Sequence, residues 1–289
     1  MKSPVKFNYN YLPKLLHPYL PVARDLREII KPANMDAETY SKYMYWVYMG
    51  GNDIFKTTKP NRHSETNKIV VEFIEKLNNP AILDVGASDG STSLDLIKQL
   101  GKKFSRYIVT DMSFKQYAIE KNGRTYFYDN HSKICLTIVS DKLVIYNDKN
   151  ACVFPINSIA KKIISKAPAF NENDAIDVNL CQPGLLDLVK HNPRIVLKEW
   201  NILEQWDGEK VDFIKAANIL NKEFFSDEIL LKAIENIKKA LKVGGFLLVL
   251  RNSAIEEWSL FRLKGEQFSL ENSGKFCSEI QNLVLGAQK

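Results

Sequence analysis

The stretch Ala81-Ile-Leu-Asp-Val-Gly-Ala-Ser-Asp-Gly90 limits what this chain can fold into more than any other segment of the sequence. A short apolar run carries an acid, Asp84, and then turns through glycines at 86 and 90. Ser91-Thr-Ser-Leu-Asp-Leu-Ile-Lys-Gln-Leu100 opens with hydroxyls of the helix-capping type and continues with apolar residues at helical spacing. The pattern predicts a strand, a tight turn and a helix N-terminus. Glycines at 86 and 90 let the backbone turn sharply and let a ligand approach without a Cβ in the way. A second apolar run, Tyr107-Ile-Val-Thr110, ends in Asp111, roughly 20 residues beyond the turn. An acid at that place is where nucleotide-binding α/β folds hydrogen-bond ribose hydroxyls. Together these residues predict an enzyme with an adenosine-containing cofactor.

Other readings of the same turn stay open. A nicotinamide or flavin cofactor calls for Gly-x-Gly-x-x-Gly, a spacing that Gly86-Ala-Ser-Asp-Gly90 lacks. Gly86-Ala87-Ser88-Asp89-Gly90 is also a literal Gly-x-Ser-x-Gly, the nucleophile elbow of hydrolases. That elbow needs a downstream acid and histidine and an upstream oxyanion loop; only His131 and His191 follow, and no His-Gly-Gly precedes it. An ordinary strand-turn-helix without a ligand leaves Asp84 and Asp111 unexplained together.

Leu83-Asp-Val-Gly-Ala-Ser-Asp-Gly90 resembles motif I of the class I S-adenosylmethionine (SAM) dependent methyltransferases. Later segments resemble that family in the same order. Asp111 matches the acid closing the second strand. Ile195-Val-Leu-Lys-Glu-Trp-Asn-Ile-Leu-Glu204 is similar to the third strand and its adenine-contacting end, with Asn201 in place of the acid. Val211-Asp-Phe-Ile-Lys-Ala-Ala-Asn-Ile-Leu220 is similar to the fourth strand. Leu241-Lys-Val-Gly-Gly-Phe-Leu-Leu-Val-Leu-Arg251 is similar to the Leu-Lys-Pro-Gly-Gly turn and fifth strand, with Val243 where proline is usual. The resemblance covers roughly residues 66–273 apart from one insertion. It implies an α/β fold, a Rossmann-like class I methyltransferase sheet with helices on both faces. It also implies a SAM site formed by Asp84, Gly86, Ala87, Ser88, Gly90, Asp111, Met112, Asn201 and Ile202. Arg62 is the candidate for the SAM carboxylate, because a basic residue just upstream of motif I often meets it in the family. Asn218, at the end of the fourth strand, is the position for orienting or polarising an acceptor, and His63 is a weaker candidate for proton removal.

The residues support these elements on their own chemistry. Ser226 is a good N-cap, followed by Asp227 and Glu228 in the first turn, where the helix dipole favours negative charge. Ile229, Leu230, Ala233, Ile234, Ile237, Ala240 and Leu241 recur at helical spacing, and Gly244-Gly245 is the expected stop. Phe246 to Leu250 reads as a strand covered on both faces. Strands alternating with helices predict a mainly parallel sheet with ligands at the carboxyl ends of its strands, where Asp84, Asp111, Asn201 and Asn218 all fall.

Composition sets outer limits. A chain of 289 residues with 45% hydrophobic residues builds one large or two small domains. A net charge of +6 with dispersed lysines reads as a solvated surface rather than a nucleic-acid footprint. Four scattered cysteines, without Cys-x-x-Cys spacing, and four histidines predict no metal site and reduced thiols in a cytoplasmic protein. Neither a signal-peptide core nor a membrane-spanning run is visible.

Two regions are additional to the minimal fold. Residues 1–65 read as an N-terminal helical extension, with helical patterns at Leu12–Ile30 and Met35–Tyr48 and a Gly50-Gly51 break. The crowded Tyr40, Tyr43, Tyr45, Trp46 and Tyr48 suit either packing or a lid over the substrate. Asn52 to Glu65 reads as loop, and Thr66 as the cap of a helix to Leu77. The core is expected at 66–289, interrupted by a small β-rich insertion at about 124–183. Its expected strands are Thr125–Tyr128, Ile134–Val139 and Lys142–Tyr146, with a hairpin turn at Ser140-Asp141 and a helix at Ile156–Ile164. Such an insertion is suited to shaping the acceptor site or forming a homodimer. The expected acceptor is an O, N or S atom of a small molecule, with a protein side chain or carboxylate as the alternative. A non-catalytic SAM-fold partner subunit is the reading from a different class.

Overall fold

The computed structural model describes residues 3–32, 35–50, 55–148, 155–252 and 255–286; Gly51, Asn52 and Cys152 lie outside them. The first strands and helices are β1 (Val5–Asn8), β2 (Val22–Ala23), α1 (Ala37–Met44), α2 (Ser64–Ile74), β3 (Ala81–Val85), α3 (Ser91–Leu100) and β4 (Arg106–Asp111). Next come β5 (Lys115–Lys121), β6 (Arg124–Asp129), β7 (Cys135–Val139), β8 (Leu143–Tyr146), α4 (Ile156–Ile164), β9 (Ile176–Asn179) and α5 (Pro183–His191). The chain ends with β10 (Ile195–Glu199), β11 (Val211–Ala217), α6 (Asp227–Ala240), β12 (Leu241–Asn252), β13 (Glu256–Lys264), β14 (Gln267–Ser273) and α7 (Gln281–Val284). These form two compact units, each assembled from separated segments: residues 1–59 with 113–183, and residues 60–112 with 184–289. The division therefore falls elsewhere than at the expected 65/66 boundary, and the N-terminal segment shares a unit with the insertion.

The second unit is a seven-stranded sheet in the order β10-β4-β3-β11-β12-β13-β14. Strands β10 to β12 run parallel; β13 and β14 are antiparallel. From β3 the chain builds outward through β4 to β10, then returns to lay β11 on the other side of β3. The order reverses between β3 and β11, and open α/β sheets hold ligands at the carboxyl ends of strands beside such a reversal. Alternate residues of the central strands face opposite sides. Leu83, Val85, Ile214, Ala216, Leu247 and Val249 share one core with Leu230, Ala233, Ile234 and Ile237 of α6 and Val284 of α7. On the other side Phe73 of α2 packs its ring against Phe213 and Phe246, with centroids 6.2 and 4.5 Å apart. Helices thus cover both faces, as an α/β fold of the expected kind requires.

Helix α6 begins as its sequence dictates, with the Ser226 hydroxyl accepting from the Ile229 N–H. It ends at Ala240, earlier than the glycine pair, because Leu241 already pairs with Val211 in β12. Helix α2 starts at Ser64, so Thr66 is not its cap. The Glu256 carboxylate, at the start of β13, instead accepts the Thr66 N–H at 2.7 Å and the Thr66 hydroxyl. A carboxylate there suits the positive end of the helix dipole.

The first unit is a second seven-stranded sheet, in the order β2-β1-β8-β7-β6-β5-β9. The expected strands of the insertion and its Ser140–Leu143 hairpin are present, and α4 covers Ile156–Ile164. Leu12–Ile30 is not one helix. Pro13, Pro18 and Pro21 remove N–H groups and break the run into a loop, 3-10 turns at Lys14–Leu16 and Leu26–Ile30, and the short strand β2. The helical reading of the extension survives only at α1. There Tyr40, Met44, Val47 and Tyr48 are buried in one core with Phe127, Val139 and Tyr146 of this sheet. Tyr40, Tyr43, Trp46 and Tyr48 pack within their own unit, and Tyr45 is exposed.

Tyr40 is fully buried, and its hydroxyl donates to the Asn179 carbonyl at 3.0 Å. Tyr40→Ala is expected to cost about 3–5 kcal/mol in urea unfolding, and Tyr40→Phe about 1 kcal/mol. A lid residue would show little effect in either.

Candidate active site

The turn after β3 is held from three directions. The Ala87 N–H donates to the Thr110 carbonyl at 2.8 Å, the Gly90 N–H to the Ala87 carbonyl at 2.9 Å, and the Ser88 N–H to Asp111 Oδ2 at 2.7 Å. Gly86 (φ 68°), Ser88 (φ 60°) and Gly90 (φ 79°) all lie in the left-handed region. For Ser88 that conformation is strained, and it persists because neighbouring bonds fix it. Gly90 occupies the N-cap position of α3; the expected hydroxyl caps at 91 and 92 are replaced by the buried Asp89, which accepts the Ser91 N–H at 2.8 Å. A Cβ on Gly86 would lie 2.4 Å from the Ile219 side chain. That glycine therefore makes room for the residue following Asn218 rather than for open space, which changes the physical reason for its requirement.

Asp111 closes β4, half-buried, with one carboxylate oxygen on the turn. Met112 follows it, 43% exposed. Beyond β10, Asn201 Oδ1 accepts the Leu203 N–H at 3.0 Å, and its Nδ2 has no hydrogen-bond partner among the described residues. Ile202 is buried in the core against α6 and its carbonyl accepts from Asn236 at 3.0 Å. The turn, Asp111 and Asn201 lie at the carboxyl ends of three adjacent strands, as their places in the sequence predicted.

Asp84 has a different setting. Its carboxylate is 1% exposed and is surrounded by protein groups. Lys215 Nζ donates at 3.1 and 3.0 Å to its two oxygens, and Ser93 Oγ and Tyr107 Oη each donate at 2.8 Å to Oδ2. Asp84 and Lys215 are register partners across β3 and β11, on the sheet face that α3 covers. This carboxylate fixes the strands that carry the turn rather than meeting a ligand. Burial and the neighbouring Asp84 charge together hold the Tyr107 phenol well above its ordinary pKa, so it stays a donor. Lys215 is not among the residues expected from sequence, although a lysine inside the apolar strand Val211–Ala217 was a visible signal.

A second cluster stands at the ends of β11 and β12. Asn218 adopts φ 59°, tolerable for asparagine, and its amide pairs with that of Asn252. The Asn252 N–H donates to Asn218 Oδ1 at 2.7 Å, and Asn218 Nδ2 donates to Asn252 Oδ1 at 3.1 Å. Asn218 Nδ2 also lies 3.4 Å from His63 Nε2, and Asn252 Nδ2 donates to the Arg62 carbonyl at 3.3 Å. The structure thus brings Arg62, His63 and Asn218 together and adds Asn252, for which the sequence carried no signal. His63 is 3% exposed. Burial, with the positive charges of Lys215 and Arg62, pushes its pKa down to about 2. So weak a base does not suit the proton removal expected of His63. Its Nδ1, and Oδ1 of the buried Asn67 one turn later, have no hydrogen-bond partner among the described residues. Burial also lowers the Arg62 pKa, a desolvated cation that gains from an anion. Among the described residues no three His, Cys, Asp or Glu side chains group as metal ligands.

No protein-family model and no curated protein matches the chain. Among solved structures, an O-methyltransferase family protein of Burkholderia thailandensis is similar at 11% identity and TM-score 0.31, over 65% of this chain and 38% of that one. An N-methyltransferase, NodS, of Bradyrhizobium japonicum, in complex with S-adenosylhomocysteine, is similar at 12% identity and TM-score 0.36 over 75% and 73%. The trans-methyltransferase CalH, also in complex with S-adenosylhomocysteine, is similar at 13% identity and TM-score 0.35 over 77% and 42%. The chain therefore spans less than half the length of two of these three proteins.

Two outcomes follow for the buried charges. Lys215→Ala leaves Asp84 uncompensated and should cost about 3–5 kcal/mol in urea unfolding, whereas Lys215→Met with Asp84→Asn should recover much of the loss. For His63 the folded pKa lies below the unfolded value. Its contribution is intact above about pH 6.5 and is lost as pH falls toward 2, with a limiting slope of about 1.4 kcal/mol per pH unit. Stability measured from pH 7 to pH 4 should fall less steeply in His63→Gln.

Proposed function

We propose that this chain is a SAM-dependent methyltransferase. The observation that carries the reading is the Asp111 carboxylate, which closes β4 beside the left-handed turn and holds the Ser88 amide at 2.7 Å. A half-buried acid anchored at that point is placed to accept ribose hydroxyls. The other surroundings fit an adenosyl group: the exposed Met112 offers an apolar surface beside the acid, and Asn201 Nδ2 offers a donor. Arg62 suits the carboxylate of the amino-acid end. Asp84 acts through the strands it joins, and Ile202 supports the site from the core.

The cofactor supplies, when bound, an electrophilic methyl group on a sulfonium. The residues of this chain act by position, bringing an acceptor O, N or S atom in line, about 3 Å from the methyl carbon. Asn218 and Asn252 form a neutral amide pair that orients an acceptor without charging it. With His63 held neutral, the reaction proceeds without a dedicated histidine base, and an acceptor proton leaves to solvent. The buried His63 Nδ1 and Asn67 Oδ1 are unsatisfied polar atoms, and such atoms call for a partner. They suit an acceptor that carries its own polar group, and a small molecule is the one we propose.

Calorimetry with SAM and S-adenosylhomocysteine tests the reading. The wild-type chain should bind both. Asp111→Ala should keep its circular dichroism and lose about 1.5–3 kcal/mol of binding free energy, the worth of a charge-assisted hydrogen bond. Unchanged affinity in the folded variant would make the ribose assignment wrong. Absence of binding to the wild-type chain would favour the non-catalytic subunit.

A further inference from the structure

The segment joining β1 to β2 is a closed excursion. At its neck the Phe7 N–H donates to the Pro21 carbonyl and the Tyr9 N–H to the Ala23 carbonyl, both at 2.8 Å. Inside it, the Leu16 N–H donates to the Pro13 carbonyl at 2.9 Å and the His17 N–H to the Lys14 carbonyl at 3.2 Å. The Tyr19 and Leu20 N–H groups both donate to the Leu16 carbonyl at 3.1 Å, and His17 Nε2 lies 2.8 Å from the Leu12 carbonyl. Pro13, Pro18 and Pro21 carry no N–H that needs a partner. A loop with its ends together and its backbone bonded internally is an Ω-type loop, a class that frequently carries function.

What this loop displays is apolar. Leu15 is 81% and Tyr19 80% exposed, and Tyr11, Leu16 and Leu20 are exposed beside them. Side chains of this size held in water by an ordered loop mark a contact surface. The charge along the run that carries them has one sign. Residues 1–24 contain Lys2, Lys6, Lys14 and Arg24 and no Asp or Glu. Asp25, the first acid, is bound by Arg27 and Asn8, and Arg27 also binds Asp141 at 2.8 Å. Two cations stand over the loop's own rings, Lys142 5.7 Å from the Tyr11 centroid and Arg24 5.0 Å from that of Tyr9.

We propose that this loop docks on an anionic lipid bilayer, with Leu15, Leu16 and Tyr19 entering the headgroup boundary and Lys14 and Lys142 meeting lipid phosphates. The mixture of leucine, tyrosine and lysine is what that boundary accepts: aliphatic chains below it, amphipathic rings within it, ammonium groups in the phosphate layer. The internal backbone bonds lower the penalty of taking peptide groups out of water. The run of residues without carboxylates removes repulsion from the negative surface. A few side chains at the tip of one loop make a reversible surface contact.

The test is co-sedimentation of the full chain with vesicles of phosphatidylcholine containing roughly a third phosphatidylserine, and with phosphatidylcholine alone. The wild-type chain should bind the mixed vesicles, weakly or not at all the neutral ones, and should be released by high salt. Leu15→Ser with Tyr19→Ser should lower partitioning about tenfold or more, and Lys14→Glu with Lys142→Glu should abolish the preference for phosphatidylserine. All these side chains are at the surface, so thermal unfolding should be unchanged in each variant. No binding of the wild-type chain, or equal binding of the Leu15/Tyr19 variant, would overturn the proposal. So would a concentration-dependent dimer in light scattering that this variant loses while vesicle binding is absent.

Discussion

The second unit depends on one carboxylate. Asp84 accepts from Lys215 on β11, Tyr107 on β4 and Ser93 in the first turn of α3, so three strands and a helix meet on a single buried side chain. Burying such a pair is costly, and its Coulomb attraction offsets that cost only when the remaining hydrogen-bonding positions are filled. Here the tyrosine and serine hydroxyls fill them. The return is geometric. β11 must lie beside β3 in one register, which is the strand reversal that opens a binding crevice, and the turn between Asp84 and Ser93 is fixed at both ends.

Electrostatics divides the candidate site into two parts. On the side of β3 and β4 a carboxylate, backbone amides and left-handed turn residues are arranged for polar contacts. On the side of β11 and β12, beside the Arg62 cation, the groups are neutral: two asparagine amides in mutual contact and a histidine whose pKa lies near 2. The Lys215 charge that stabilises Asp84 also contributes to suppressing protonation of His63, so the two parts are linked through that ammonium group.

Where one physical signal dominated, the fold was legible in the sequence. Continuous apolar runs located the parallel strands, helical spacing with Ser226 located α6, and the hydroxyl–acid turn at Ser140-Asp141 located the β7–β8 hairpin. Periodicity misleads where proline outweighs it. The apolar spacing of Leu12–Ile30 suits a helix, but three prolines forbid one, and the leucines remain on a loop. The division into units was not legible, because pairing of β1 with β8 joins residues far apart in sequence and has no local signature. At the site, strand ends predicted the placement of Asp111 and Asn218, whereas Asn252 and Asn67 become recognisable only when distant segments meet. Asp84 was found for its position, and its occupation by Lys215 required the register of two strands.

Both units are assembled from separated stretches of chain, and this imposes an order in time. As the chain is synthesised, β3 and β4 emerge early, but the strands that flank them, β10 and β11, come only after the whole of residues 113–183. The first unit has every one of its strands by then and can close, whereas Asp84 waits in an unfinished two-strand sheet with open edges. Open edges and unpaired buried charge are hazards of partly folded states. The arrival of Lys215 therefore pairs the Asp84 charge and covers the β3 edge, and the open edge passes to β11 until β12 to β14 follow.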